Sequence, residues 1–135
     1  MARIDEVEGI GPAYAEKLAA ADVKTTDDLL AAGASAKGRD ALAEATGISG
    51  GLILEWVNHV DLMRIKGVGS EYSDLLEAAG VDSPAELARR NAANLATTIQ
   101  EVVAARPGIV RRTPTEAMIS EWIDQAKTLG KIVTH

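Results

Sequence analysis

The chain repeats itself once, and this repeat constrains its fold more than any other feature of the sequence. A shift of about 58 residues superposes two Gly-apolar-Gly motifs, Gly9-Ile10-Gly11 and Gly67-Val68-Gly69. The aromatic residues follow the repeat in two pairs, Tyr14 with Tyr72 and, at a shift of about 66 residues, Trp56 with Trp122. The chain contains two Tyr, two Trp and no Phe, so every aromatic residue has an equivalent in the other copy. Such a repeat predicts two copies of one supersecondary unit that share a core.

The second copy is longer than the first, because the shift grows by about eight residues along the chain. The simplest place for this insertion is the loop at residues 107–113, since loops accept extra residues more readily than helices do. The repeat therefore predicts one unit over residues 1–62 and a second over residues 63–135. No linker separates them, and residues 49–65 have the apolar spacing of one continuous helix. We expect the two units to pack as one compact domain.

Local signals predict helices throughout the chain. Hydroxyl residues followed by an acid, which are typical of helix N-caps, occur at Thr25-Thr26-Asp27-Asp28, at Ser83-Pro84-Ala85-Glu86 and at Thr113-Pro114-Thr115-Glu116. Between the caps, apolar residues recur at helical spacing, and no stretch shows the alternation of a half-buried strand. The sequence predicts an all-α protein of eight or nine mostly short helices, with both Trp and both Tyr as core anchors.

Each Gly-apolar-Gly motif is predicted to form a tight turn between two helices. Glycine suits the positive φ angles that such a turn requires, and the helix that follows begins with amide N–H groups that favour an anion. The motifs resemble the helix-hairpin-helix motif of DNA repair and processing proteins. In that family, paired turns present backbone amides to phosphates without reading the base sequence. The resemblance implies two pseudo-symmetric helix-hairpin-helix units here.

A second resemblance covers nearly the full length of the chain. The chain is similar to a family of uncharacterised bacterial proteins that is known only as a domain of unknown function. The segments that carry this resemblance are Gly9-Ile10-Gly11, Thr46-Gly47-Ile48-Ser49, Asp61-Leu62-Met63-Arg64-Ile65-Lys66-Gly67-Val68-Gly69 and Glu121-Trp122-Ile123-Asp124-Gln125-Ala126-Lys127. The family has no established activity, so the resemblance bears on the fold more than on the function.

The charge of the chain disfavours a general nucleic-acid binder. The net charge is −6 and the pI is near 4.9, whereas proteins that bind phosphate backbones present basic surfaces. Glu71 follows the second turn and would oppose a phosphate, and Pro12 follows the first turn where the binding hairpins of the resembling family carry Lys, Arg or a hydroxyl. The second hairpin is the better candidate because two cations precede it. Its candidate contact set is Arg64, Lys66, Gly67, Val68 and Gly69, and the weaker candidate is the first hairpin, Gly9, Ile10 and Gly11.

The predicted insertion carries the strongest local positive charge. Its three arginines, Arg106, Arg111 and Arg112, stand out in an acidic chain. Loops carry function more often than the elements that they connect, so these arginines form a candidate interaction loop for an acidic protein face or a nucleic acid. The alternative is an ordinary connection whose arginines pair with nearby acids.

The sequence gives no support to an enzyme. No serine has a nucleophile signature, neither Gly-rich turn continues into a phosphate-binding P-loop, and the acids follow helix caps and solvent-facing positions. The chain has no Cys, and His59 has no second nearby His, so we expect no metal and no cofactor. His135 is consistent with a remnant of an expression tag. We expect a cytoplasmic protein that does not associate with membranes.

Two functions remain open from the sequence. The first is a non-catalytic interaction or scaffolding module that binds a protein partner or self-associates, and the acidic balance favours it. The second is sequence-independent binding of DNA or RNA through the second hairpin. The sequence leans towards the first, because Glu71 and the missing cations after each turn leave the binding motif incomplete.

Overall fold

The computed structural model describes residues 2–135, and it confirms the all-α prediction. The described residues form eight α-helices and one 3₁₀ turn at Ile4–Glu6, and their β pairing is limited to an isolated bridge between Arg3 and Thr25. The helices are α1 (Pro12–Ala20), α2 (Thr26–Gly33), α3 (Ala36–Thr46), α4 (Gly50–Leu62), α5 (Ser70–Ala78), α6 (Pro84–Ala88), α7 (Ala92–Ala105) and α8 (Glu116–Ala126). Within residues 2–135, no helix combines the length and the apolar character that crossing a bilayer demands.

Two of the three predicted caps start their helices as expected. Thr25 caps α2, where its hydroxyl accepts the N–H of Asp28 at 3.1 Å, and Ser83 caps α6, where its hydroxyl accepts the N–H of Glu86 at 3.1 Å. The third signal is wrong by two residues, since Thr115 and not Thr113 caps α8, where its hydroxyl accepts the N–H of Met118 at 3.1 Å. The helix predicted over 49–65 is shorter, since α4 ends at Leu62 and the N–H of Ile65 then donates to the Leu62 carbonyl at 3.1 Å. A three-residue spacing of this kind tightens the chain and begins the turn.

The chain divides into two compact units, residues 1–61 with 131–135 and residues 62–130. The boundary lies one residue before the predicted one. The last five residues, which the repeat assigned to the second unit, belong to the first, because Val133 is buried in the first core and Thr134 bonds to Ala34. The repeat contains no counterpart of this segment, so the repeat alone could not assign it.

Each unit has its own apolar core, which differs from the shared core that the repeat predicts. In the first unit α3 packs on α1 and α2, around Leu18, Leu29, Ile53, Trp56 and Val57. In the second unit α8 packs on α6 and α7, around Leu75, Leu87, Leu95, Ile119 and Trp122. Both Trp side chains are buried, and both Tyr side chains pack against them while half-buried. The four aromatic residues are core anchors, as the sequence predicts.

The same backbone hydrogen bonds recur 58 residues apart. In the two turns, the N–H of Ile10 donates to Val7 at 3.0 Å and the N–H of Val68 donates to Ile65 at 3.0 Å. After α1 and α5, the N–H of Val23 donates to Leu18 at 2.9 Å and the N–H of Val81 donates to Leu76 at 2.8 Å. The copies diverge later, where residues 47–49 connect α3 to α4 but residues 106–115 connect α7 to α8. The extra length lies in the loop where the sequence places it.

The end of α2 lies directly against α4, and this contact requires a glycine. A Cβ atom at Gly33 would come within 2.5 Å of Cγ2 of Val57. We expect Gly33→Ala to lower the free energy of unfolding by about 1–3 kcal/mol, because overpacking forces the neighbouring side chain or backbone to shift. Urea denaturation followed by circular dichroism measures this change.

The matched control is Gly50→Ala at the start of α4, where a Cβ would meet nothing within 4 Å. This variant should be as stable as the parent chain or slightly more stable, because alanine favours a helix. Equal stability of the two alanine variants would contradict the packing of α2 on α4.

Candidate binding surface of the second hairpin

The two glycines of the second hairpin have different structural roles. Gly67 has φ +96°, and a Cβ added there would lie 3.2 Å from Nε1 of Trp122. Backbone conformation and the indole ring therefore both require glycine at 67. Gly69 has an ordinary φ of −93°, and a Cβ there would meet nothing within 4 Å. No contact inside the described chain requires glycine at 69, whereas close approach of another molecule to the backbone would.

A Trp–Tyr pair packs next to the second turn, with the indole against the turn and the phenol against the indole. The ring centroids of Tyr72 and Trp122 are 5.2 Å apart, at an interplanar angle of 51°. The first hairpin repeats the arrangement, with Tyr14 and Trp56 at 5.1 Å and with φ +89° at Gly9. Because the indole contacts the turn and the phenol contacts the indole, each hairpin is held by the core of its own unit.

Gln125 fixes the peptide on which the second turn begins. Its side-chain Oε1 accepts the N–H of Lys66 at 2.9 Å, and its Nε2 donates to the Lys66 carbonyl at 3.1 Å. No motif in the sequence marks Gln125 as part of the site. Its position in the sequence could have indicated this role, because Gln125 lies three residues after Trp122 and so shares the helix face that meets the turn. With its backbone held in this way, Lys66 extends an exposed side chain beside the hairpin.

The arginine loop lies against the first turn of α5, next to the hairpin. Glu71 accepts hydrogen bonds from the backbone N–H of Arg111 and from its Nε, the latter at 3.2 Å. The hydroxyl of Tyr72 donates to the carbonyl of Arg112 at 3.0 Å. The structure thus brings together two features that the sequence analysis treated separately, the second hairpin and the loop that contains Arg111 and Arg112.

The charge of Glu71 is compensated by its partner. The backbone N–H of Arg111 has the largest effect and holds the pKa of the Glu71 carboxyl below its ordinary value; burial opposes it as the second-largest effect, and the guanidinium of Arg111 lowers the pKa further. The Arg111 side chain is 94% exposed, so the ion pair itself contributes little to stability. Its importance is local, because the carboxylate expected to repel an anion at this turn is paired with a cation.

Three other predicted contact residues, Arg64, Val68 and Arg106, are less suitably placed to bind an anion at the turn. Arg64 donates from Nη2 to the Gly130 carbonyl at 2.9 Å, where the chain leaves the unit. Val68 is buried, and its N–H donates to the Ile65 carbonyl, so this amide is not available to bind a ligand. Arg106 is exposed at the end of α7, where its own N–H closes the helix on Val102.

The remaining donors favour the second hairpin over the first. The N–H groups of Gly67 and Gly69 make no hydrogen bond within the described chain, and the same holds for Gly9 and Gly11. However, α1 begins with Pro12, which has no N–H to donate. The second unit carries eight Lys and Arg against nine Asp and Glu, whereas the first carries six against eleven. Of the two hairpins, the second therefore has more of the features that would favour an anion.

The two glycines allow a test of the turn geometry. We expect Gly67→Ala to lower the free energy of unfolding by about 1–3 kcal/mol, since it forces a side chain into a positive φ against the indole. Gly69→Ala should change stability by less than about 0.5 kcal/mol, as is usual for substitutions with no specific contact. Chemical denaturation of both variants measures the difference. A larger loss at 69 than at 67 would contradict the assigned roles.

Glu71 is expected to titrate below the ordinary range of a glutamate, because Arg111 hydrogen-bonds to the ionised form. A pKa lowered on folding stabilises the native state above the unfolded-state pKa of about 4.3, and this stabilisation is lost as the pH falls through the lower native value. Carboxyl NMR titration measures the shift. Arg111→Ala should raise the pKa only part of the way, because the backbone N–H remains. An ordinary pKa for Glu71 in the parent chain would mean that the loop does not hold this contact in solution.

Comparison with known proteins identifies a family but no function. No curated protein and no solved structure matches the chain significantly. A family model described as Domain of unknown function (DUF4332) matches residues 8–129, which include both hairpins, both Trp–Tyr pairs and the arginine loop. The chain belongs to this family of unknown function, DUF4332.

Proposed function

We propose that the chain is a non-catalytic binding module of the helix-hairpin-helix type. Support comes from the two turns, each of which has a positive-φ glycine on a buried Trp, the same i to i−3 hydrogen bond and a helix directly after it. These features favour a rigid surface that presents backbone groups, rather than a cleft that holds a small substrate.

Sequence-independent binding of a nucleic-acid backbone by the second hairpin is the function that the geometry supports best. The observation that carries this proposal is the pairing of Glu71 with Arg111, because Glu71 was the main local objection to a phosphate at this turn. In this proposal the N–H groups of Gly67 and Gly69 donate to phosphate oxygens, while the side chains of Lys66 and Arg112 supply positive charge. Contacts of this kind position a phosphate backbone without reading bases.

A protein partner, or self-association, is the second candidate function. It is favoured by the first unit, whose hairpin loses a donor at Pro12 and whose eleven acids outnumber its six Lys and Arg. A surface of this charge repels phosphate, and it suits a basic or neutral protein face better. The two candidates involve different units, so one chain can carry both.

Titration of labelled single- and double-stranded DNA, followed by fluorescence anisotropy at low and at physiological salt, tests the nucleic-acid proposal. We expect roughly micromolar binding at low salt that weakens steeply as salt is added, because phosphate contacts release counterions. Lys66→Glu should weaken binding to all sequences alike and lower the magnitude of the salt slope by about one.

Lys37→Glu is the charge-matched control, because Lys37 is an exposed residue of α3 in the first unit. It changes the net charge by the same amount as Lys66→Glu but lies outside the proposed surface, so its effect on affinity should be much smaller. Equal losses in the two variants would show that only overall charge matters. Flat titrations at both salt concentrations would reject nucleic-acid binding and leave the protein partner as the remaining candidate.

A further inference from the structure

The first unit holds residues 131–135 in a groove that the sequence repeat does not predict. Residues 131–135 are neither helical nor part of a strand, and they follow the whole of the second unit. Val133 is 4% exposed and packs in the core of the first unit. The adjacent Ile132 is 41% exposed, and it is the one large exposed hydrophobic side chain among the described residues.

Both backbone groups of Thr134 are held by the first unit. Its N–H donates to the Ala34 carbonyl at 2.7 Å, and its carbonyl accepts from Nη2 of Arg39 at 2.7 Å. Nη1 of the same guanidinium donates to the Gly33 carbonyl at 2.9 Å and to the Ala34 carbonyl at 3.3 Å. We call the site formed by Gly33, Ala34, Arg39 and the pocket under Val133 the Arg39 groove.

The Arg39 groove is energetically unfavourable when it is empty. Arg39 is 6% exposed and donates to the backbone carbonyls of Gly33, Ala34 and Thr134, so loss of Thr134 removes one acceptor of a buried charge. The bond to the Thr134 carbonyl is a charge-assisted hydrogen bond, which is stronger than a neutral one, so its loss is unfavourable even where water replaces the carbonyl. Loss of the segment also uncovers the apolar pocket of Val133. The groove therefore selects an occupant by two features, a free backbone carbonyl and an aliphatic side chain one residue before it.

The present occupant is held by few contacts. The segment contributes one buried aliphatic side chain and a small number of hydrogen bonds, and residues 127–131, which precede it, are outside any helix. Segments of this kind open locally at a free-energy cost well below that of global unfolding. When the segment leaves, the groove can be filled by the same residues from another copy, which would restore every contact.

We propose that the Arg39 groove is a binding site for an extended chain segment, and that residues 131–135 of a second copy of this chain occupy it by exchange. Identical contacts form within one chain or between two, so concentration decides between them. Ile132 stays exposed when the segment lies in the groove, so it favours the paired state through an added apolar contact with the second copy and not through the groove itself. This inference concerns the first unit and does not depend on nucleic-acid binding by the second.

Cross-linking between two single-cysteine variants tests the exchange, because the parent chain contains no cysteine. One full-length variant carries Ala34→Cys and the other carries Thr134→Cys, at the two positions joined by the 2.7 Å hydrogen bond. The two are mixed and treated with a short bismaleimide. We expect heterodimers to form about tenfold faster than with Ser120→Cys, an exposed position on α8 that replaces Thr134→Cys in the control mixture, because residues held in one complex react at a raised effective concentration. Rates equal to those of the control, in variants with parental circular dichroism, would overturn the proposal.

Light scattering across a concentration series gives a second readout that needs no substitution in the groove. The parent chain should show a dimer fraction that grows with concentration, and Val133→Asp should remove it, because a carboxylate cannot enter the apolar pocket. A parent chain that stays monomeric throughout, or a dimer that Val133→Asp leaves intact, would each overturn the exchange. Neither result would affect the DNA titration, whose expected contacts lie in residues 62–130.

Discussion

Each hairpin turn rests on the edge of an indole ring, and the local structure of both units depends on this contact. Position 67 and position 9 have positive φ angles, and in both cases a Cβ would come within 3.2–3.3 Å of a Trp Nε1. Trp122 is carried by α8 and Trp56 by α4, so the contact fixes one core helix to the turn and to the helix that follows the turn. A Tyr on that following helix completes the arrangement by packing against the same indole.

The two copies share this support but differ in what surrounds it. In the first unit, a short connection leads from α3 to α4, and Pro12 removes a donor from the start of α1. In the second, the longer connection returns to the hairpin and places Arg111 on Glu71. The insertion therefore changes the electrostatic character of one hairpin while the turn keeps its backbone geometry. A duplicated unit can diverge in this way without altering its core.

The parts of the fold that could be predicted from sequence are those determined by neighbouring residues. N-caps such as Thr25 and Ser83 act over three residues, and the Gly-apolar-Gly turns carry their own backbone requirement. The contacts that define the candidate sites are long-range: Arg111 meets Glu71 across 40 residues, and Arg39 meets Thr134 across 95. Such pairs leave no periodic signal in a single sequence. The repeat also gave no information about residues 131–135, because they have no equivalent in the other copy.

The discontinuity of the first unit has a consequence for how the chain acquires its structure during synthesis. Residues 62–130 form one uninterrupted stretch, so the core of the second unit is complete as soon as that stretch has left the ribosome. The first unit, although translated earlier, lacks Val133 and one acceptor of Arg39 until residues 133 and 134 emerge. In most nascent chains the N-terminal part finishes folding first. Here that order is reversed, because the first unit is translated first but completes its core last.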